Sequence, residues 1–346
     1  MKRRISGIFK RYAIALSWVY FSILYGWLAF YLLSGDRFSY LGLMNNLAVY
    51  LFFPLPLIGL IAISTRRKEL VGGSILGIVV FVWFWGGLFM LNFNQPKEGN
   101  PHAELTVMTY NVLGLHGFID PAIEVIRKQN ADVIFLQELT PDLARSMQHE
   151  LEDLYPYQIL DPQPGVWGMG VLSRFPLVNT GEHLPLEWIG TPQILKMDFD
   201  NVDVTLVNFH TFAYAFMPPA AVNQNLRDRE AQAQVLADFT TRTSGPLIAA
   251  GDANAADITQ PYRTIRAAGL QDAWRAAGFG LGGTFPGSTV PGSSRWKIGP
   301  WYVPKWLLRI DYVFGSPHWE FRSAQMAQFD GVSDHRGVIA ELTLME

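Results

Sequence analysis

Three long apolar runs near the start of the chain limit what it can fold into more than any other feature. They are Tyr12–Leu33, Phe38–Ile63 and Leu70–Leu91, and none holds a charged residue. Each reaches the ~20 residues needed to cross a hydrocarbon core of about 30 Å. A cleaved secretory signal carries one apolar stretch of about 7–15 residues, so three in succession read as membrane spans. The second run contains Asn45, Asn46, Pro54 and Pro56. It reads as a kinked span or as a re-entrant segment.

Flanking cations set an orientation, because cytoplasmic ends carry an excess of Lys and Arg. Lys2, Arg3, Arg4, Lys10 and Arg11 precede or open the first run, and Arg37 alone lies in the first loop. Arg66, Arg67 and Lys68 fill the second loop, and Lys97 alone follows the third run. This alternation implies a cytoplasmic N-terminus, three crossings and an extracytoplasmic remainder. Two crossings would leave the remainder inside.

Charge divides at the same place. Residues 1–99 hold ten Lys/Arg against three Asp/Glu, and residues 100–346 hold seventeen against twenty-seven, balances of +7 and −10. An acidic remainder argues against the basic footprint that phosphate backbones require. There is no cysteine, which excludes disulfides and thiolate metal sites.

The expected organisation is a membrane region over 1–93, a polar linker over 94–102 and a soluble domain over 103–346. Within the last, apolar and β-branched runs predict strands at Leu105–Tyr110, Val133–Gln137, Gly170–Ser173, Ile194–Phe199, Val204–Phe209, Leu247–Ala250, Ile310–Phe314, Trp319–Gln325 and Val338–Leu344. Helical patterns fall at Pro121–Gln129, Pro141–Leu154, Asn225–Thr241 and Pro261–Ala268. Mixed strands and helices of this kind suggest a two-sheet core flanked by helices.

Several strands end in polar residues that a core does not need. The stretches are Thr109-Tyr110-Asn111, Gln137-Glu138, Asn208-Phe209-His210, Gly251-Asp252-Ala253-Asn254, Arg309-Ile310-Asp311-Tyr312 and Ser333-Asp334-His335. With GVLSRFPL at 170–177, these motifs in this order resemble the endonuclease/exonuclease/phosphatase (DNase I-like) superfamily across residues 104–346. Membrane-tethered bacterial members look similar in layout. The resemblance implies an α/β four-layer α-β-β-α sandwich of two mixed sheets. It implies a metal-dependent phosphoester hydrolase in which Glu138 is the main Mg²⁺ ligand, helped by Asn111 and Asp334, with Mn²⁺ as the other candidate ion. Oxygen donors suit these hard cations.

The same resemblance implies that His335 contacts the phosphate and serves the attacking water, oriented by Asp311. It gives Asp252 and Asn254 the positioning of that water, and His210 a hydrogen bond to phosphate or leaving oxygen. Whether Asp252 or His335 is the base stays open. One departure is Leu113, two positions after Asn111, where the family often has an acid or amide. Asp272 and Arg174 read as structural, with an anion contact the alternative for Arg174. Arg229 and Gln232, on a helix face after His210, read as packing or capping residues with catalysis the alternative. His102, His116, His149, His183 and His318 read as surface or turn residues.

Two loops beside the site are oddly apolar, Thr211–Val222 and Arg295–Arg309. The second mixes Trp296, Trp301, Tyr302 and Trp306 with four cations, the composition of a lipid-interface segment or of a covering loop. The linker reaches at most about 3.3–3.6 Å per residue, which keeps the domain near the bilayer. The leading expectation is therefore hydrolysis of a lipid or polyprenyl phosphate ester. An anchored nuclease and a catalytically silent scaffold are the alternatives. A reporter that works only outside the cytoplasm, fused after Glu346, is expected to be active. Activity confined to a cytoplasmic reporter would overturn the three-crossing orientation.

Overall fold

The computed structural model describes residues 2–90, 101–213, 219–290, 293, 295 and 297–345. Most of the expected linker, residues 214–218 of the first apolar loop, and Trp296 lie outside these. The chain forms two compact units, Met1–Met90 and Leu91–Glu346.

In the first unit, three segments are long and apolar enough to cross a membrane: Ile8–Ser34, Ala48–Thr65 and Lys68–Phe89. The second apolar run is not one rod. It breaks into a helix at Ser39–Asn46, a 3₁₀ turn at Ala48–Phe52 and a helix at Leu55–Thr65. The cause is local. Pro54 and Pro56 lack the N–H that a continuous helix would use, and Asn45 turns inward to accept a bond from the Trp27 indole at 2.9 Å. Only the later part of the run is a spanning candidate. The helices approach closely at Gly73, where a Cβ would lie 2.7 Å from the Phe21 ring, as small residues permit between packed spans. Ile23, Phe30, Leu60 and Val82 are all more than half exposed, an outward apolar surface suited to lipid rather than water.

The second unit contains fourteen strands among the described residues. One six-stranded sheet contains β1 (Pro101–Asn111), β2 (Val133–Gln137), β3 (Tyr157–Asp161), β4 (Met169–Ser173), β13 (Trp319–Met326) and β14 (Val338–Met345), in the order β13-β14-β1-β2-β4-β3. The other contains β5 (Leu177–Asn179), β6 (Gln193–Phe199), β7 (Val202–His210), β8 (Leu247–Asp252), β9 (Gln271–Asp272) and β12 (Asp311–Gly315), in the order β5-β6-β7-β8-β12-β9. Among the described residues the short strands β10 (Lys297–Ile298) and β11 (Trp301–Tyr302) pair only with each other. Each large sheet has one parallel pair at its centre, β1 with β2 and β7 with β8, and antiparallel neighbours elsewhere.

Period-2 alternation explains the layers. Val107, Phe135, Ile248, Ala250 and Val313 enter one core between the sheets. Their neighbours Met108, Ile134 and Leu136 pack outward with residues of the helices Asp120–Gln129 and Pro141–Glu150. Leu247, Ala249, Tyr312 and Phe314 do the same with residues of Pro219–Arg242 and Gln260–Ala267. These are the four layers that the motifs implied. Strands covered on both faces read as unbroken apolar runs. Within the two large sheets the strands that lacked a pattern were β3, β5 and β9, which are edges of their sheets and short or half-exposed. The two-residue strands β10 and β11 were not expected either.

The inner face turns polar toward the strand ends. Thr109, Gln137, Asn208 and Gln193 continue the inward parity of the core residues and bond across the gap between sheets. Thr109 donates to Gln137 Oε1 at 3.2 Å, and Gln137 Nε2 donates to Asn208 Oδ1 at 2.8 Å. Asn208 Nδ2 reaches Gln193 Oε1 and Gly170 O at 3.0 Å and Leu136 O at 3.1 Å. Asn208→Ala would leave several of these buried groups without their partner. It is expected to cost roughly 3 kcal/mol, a fall in Tm of about 6–12 °C for a unit of this size. Unfolding of the purified chain that is unchanged within about 1 kcal/mol would show that the network does not tie the sheets.

Candidate active site

One step beyond this polar layer, the same parity brings Asn111, His210, Asp252 and Asp311 to the inner face. Register does the rest. Asp252 at the end of β8 is paired with His210 of β7 on one side and with Asp311 of β12 on the other. In the other sheet, Asn111 pairs with Gln137, and Glu138 follows at once. Glu138, Asp252, Asp311, Asp334, His210 and His335 are all buried.

Asn111 joins the two halves. Its Nδ2 donates to Glu138 Oε1 at 3.0 Å and to Asp252 Oδ2 at 3.2 Å. Its Oδ1 accepts the Leu113 N–H at 3.1 Å. Leu113, the departure from the family pattern, adopts a left-handed backbone with φ 45°, so its contribution is a main-chain N–H rather than a ligand oxygen. Glu138 also has a left-handed backbone, φ 60°, a rare state for a non-glycine residue. Its turn leaves room only for a glycine nearby: a Cβ on Gly114 would meet Glu138 O at 2.5 Å.

The Ser333-Asp334-His335 loop is fastened to β1. Ser333 Oγ donates to Asn111 O at 2.8 Å and accepts the His335 N–H at 3.0 Å. Asp330 caps the loop by accepting from Val332 and Ser333 N–H and from the Tyr110 hydroxyl. His335 Nδ1 lies 2.9 Å from Asp311 Oδ2, and Asp311 N–H and Ile310 N–H both reach Thr284 Oγ. His335 Nε2 is 3.7 Å from Asp252 Oδ2 and 4.0 Å from Asp334 Oδ1. His210 Nε2 is 3.5 Å from Asp252 Oδ2. Asn254, at φ 45°, gives its main-chain N–H to Asp252 Oδ1 at 2.8 Å and its Nδ2 to Thr211 O at 2.9 Å.

Such crowding moves the titrations. Burial, then the Asp334 charge, push Glu138 up to about 8, against the Asn111 bond and His335. Burial, then Asp311, push Asp252 up to about 7. Burial and the neighbouring His335 charge push His210 down to about 3, so it is neutral at ordinary pH. Burial alone would lower His335, yet Asp311, Asp252 and Asp334 hold it well above its usual value as an imidazolium.

Two groupings offer donors for a cation. Ligand atoms of Asp252, Asp311 and His335 lie within 4.8 Å of one another, but the Asp311–His335 bond already joins two of them. Among the described residues Glu138 Oε2 is buried without a hydrogen-bond partner, and the Asp334 carboxylate lies close enough to raise the Glu138 carboxyl. An open carboxylate oxygen among acids fits a hard divalent cation.

The residues read as structural have structural partners. Arg174 pairs with Asp132 at 2.8 Å. Asp272 accepts from buried Arg309 at 2.8 Å and from the Tyr262 hydroxyl at 2.7 Å. Arg229 bonds Asn254 O, and Gln232 accepts the Phe212 N–H. His149, His183 and His318 are exposed. Thr284 and Ser333 carry no sign of their positioning roles in the sequence around them, apart from the place of Ser333 in its motif.

A metal-dependent phosphoester hydrolase is the class that this fold and this acidic, imidazole-bearing rim define. The chain belongs to the endonuclease/exonuclease/phosphatase family, whose model matches residues 108–335. No curated protein matches it. Solved structures share the fold. Truncated Caenorhabditis elegans TDP2 is 20% identical, with a TM-score of 0.51 over 69% of this chain and 97% of that one. An endonuclease/exonuclease/phosphatase from Beutenbergia cavernae is 24% identical, with a TM-score of 0.52 over 70% and 72%. Danio rerio TDP2, complexed with single-strand DNA product, is 18% identical, with a TM-score of 0.52 over 69% and 99%.

The raised carboxylates have a consequence for stability. A group whose folded pKa exceeds its unfolded value stabilises the fold below the unfolded value and loses that contribution as pH rises through the folded one. Without metal, Tm is therefore expected to fall between pH 5 and 8, as Asp252 and Glu138 lose protons. Added Mg²⁺ or Mn²⁺ should restore it most at the alkaline end. Glu138→Gln should flatten both trends in a thermal-melt series. A Tm that rises with pH in metal-free wild type would contradict this account.

Proposed function

We propose that the chain is a membrane-anchored, Mg²⁺- or Mn²⁺-dependent phosphoesterase that uses water to cleave a lipid-borne phosphate ester. The observation that carries the chemistry is the unpartnered Glu138 oxygen beside Asp334, joined through Asn111 to Asp252. Glu138 and Asp334 would hold the cation, with Asn111 fixing the Glu138 carboxylate. The cation, when bound, offsets the negative charge of the phosphate oxygens.

The remaining work belongs to the side chains. Asp252 is the better base, because a carboxylate poised near 7 accepts a proton from water at neutral pH. His335 is held as a cation by Asp311, so its Nε2–H donates to a phosphate oxygen as charge builds there. Neutral His210 adds a hydrogen-bond donor without a charge. Asn254 keeps Asp252 aligned through its main-chain N–H. On this reading the intact set argues against a silent scaffold.

Three features support a lipid-borne substrate and an extracytoplasmic site. Three apolar helices precede the catalytic unit, the cations alternate around them, and the unit itself is acidic. A groove of about 600 Å³ opens beside Phe212, two residues from His210, and among the described residues its walls include Trp167, Trp188, Asp161 and Glu187 but no Lys or Arg. It offers no counter-charge to a polymer of phosphates. The second reading is an anchored nuclease, favoured by the DNA product held in the Danio rerio TDP2 structure.

The test is a substrate panel with Mg²⁺: plasmid DNA, phospholipids including a sphingomyelin-like lipid, and polyprenyl pyrophosphate. Lipid hydrolysis that falls about 10²–10³-fold or more in Glu138→Gln is expected. Glu138-dependent cleavage of DNA with no lipid turned over would replace the lipid reading by the nuclease.

A further inference from the structure

The Arg295–Arg309 segment separates into two parts with opposite fates. Its later part is packed. Trp306 stacks edge-on against Phe329, lies under the Arg336 guanidinium at 4.7 Å, and crowds Gly283 and Gly287. Arg309 is buried against Asp272. Its earlier part projects. Lys297–Ile298 pairs with Trp301–Tyr302 around Gly299 and Pro300, with Gly299 at φ 60°. Ile298 is 73% exposed and Trp301 76%.

Cross-strand partners share a face of a hairpin. Ile298 stands opposite Trp301 and forms one apolar face. Lys297 stands opposite Tyr302, with its ammonium 4.4 Å from the ring centre. A two-residue ladder is not stable alone, so the stem must be braced, and it is. Arg295 donates to Val303 O at 2.9 Å and to Gly287 O at 3.2 Å. Gly287 N–H donates to Asp334 O at 2.6 Å, and Ser288 N–H to Ser333 O at 3.2 Å. The hairpin is thus fixed to the loop that carries Asp334 and His335, while its apolar tip is left mostly exposed among the described residues.

We propose that this hairpin is a lipid-docking element: Ile298 and Trp301 enter the interfacial region of the bilayer, and Arg295, Lys297 and Lys305 meet anionic headgroups. The occupant follows from charge and tether. Residues 295–305 hold three cations and no acid in a unit whose balance is −10. Ring and aliphatic tips flanked by Lys are what the headgroup boundary accepts. The same chain carries three helices fit to cross a membrane. The proposal rests on the membrane-anchored reading above, and it orients the catalytic mouth toward the lipid surface.

The chain has no cysteine, so single labels are clean. Full-length Ile298→Cys, and separately Trp301→Cys, would carry an environment-sensitive fluorophore in vesicles of phosphatidylcholine and phosphatidylglycerol. Val178→Cys on the edge strand β5, 63% exposed, is the control. Blue-shifted emission at 298 and 301, quenched about twofold or more by doxyl-labelled lipid, is expected, with the Val178 label unaffected. Removing phosphatidylglycerol or introducing Lys297→Glu and Lys305→Glu should reduce the quenching. Labels at 298 and 301 quenched no more than at 178 would overturn the proposal. So would labels shielded from water yet untouched by doxyl lipid, which would mean a protein partner or the chain's own helices. Hydrolysis is not read in this experiment, so a failed lipid-substrate panel and a failed docking surface remain distinguishable.

Discussion

Four carboxylates, Glu138, Asp252, Asp311 and Asp334, sit almost wholly out of water in one layer at the end of a two-sheet core. Burying like charges side by side is costly, and much of the catalytic unit can be understood as the means of enduring it. Asp311 is matched by the His335 imidazolium. Asn111 shares its amide hydrogens between Glu138 and Asp252. Thr284, Ser333 and Asp330 hold the intervening main chain through side-chain bonds. What these devices leave over is the crowding of Glu138 by Asp334, which together with burial raises the Glu138 carboxyl.

The support for this layer lies beneath it. Parallel pairs at the centre of each sheet bring Asn111, Glu138, His210 and Asp252 out at one end, and the Thr109–Gln137–Asn208–Gln193 chain keeps the two sheets in step just below. The apolar core sets the spacing, the polar layer sets the alignment, and the buried acids and imidazoles occupy the layer above. The titratable groups are therefore gathered at the rim, whereas the groove beside Phe212 and the projecting hairpin lie outside that layer. Relatives with the same fold can differ there without disturbing the buried acids.

Much of the fold was legible. Continuous apolar runs such as Val133–Gln137 and Leu247–Ala250 announced strands covered on both faces, and the end-of-strand motifs ordered the rim. The misses have physical causes. Edge strands β3, β5 and β9 bury too little to leave a pattern. The run at Phe38–Ile63, by contrast, was expected to kink or to re-enter from its asparagines and prolines. It breaks into a helix, a 3₁₀ turn and a helix because Pro54 and Pro56 cannot donate the hydrogen bonds of a continuous helix. Trp301 and Trp306 looked alike in sequence, yet one projects and the other lies packed under Arg336, because partners thirty residues away decide which ring finds a site. The orientation of Asn111, with its oxygen turned to Leu113, likewise depends on a left-handed turn that no motif records.

By itself, the sequence determined the division into an apolar, basic region and an acidic α/β region, the family, and the roster of acids, amides and imidazoles. These follow from composition, from periodicity and from short motifs, all of which are local. Only the tertiary structure decided which of those groups share a buried layer, which carboxylate oxygen is left without a partner, and which imidazole is charged. Those properties arise from burial and from register between distant strands, where a separation of a few ångströms outside water sets the energies.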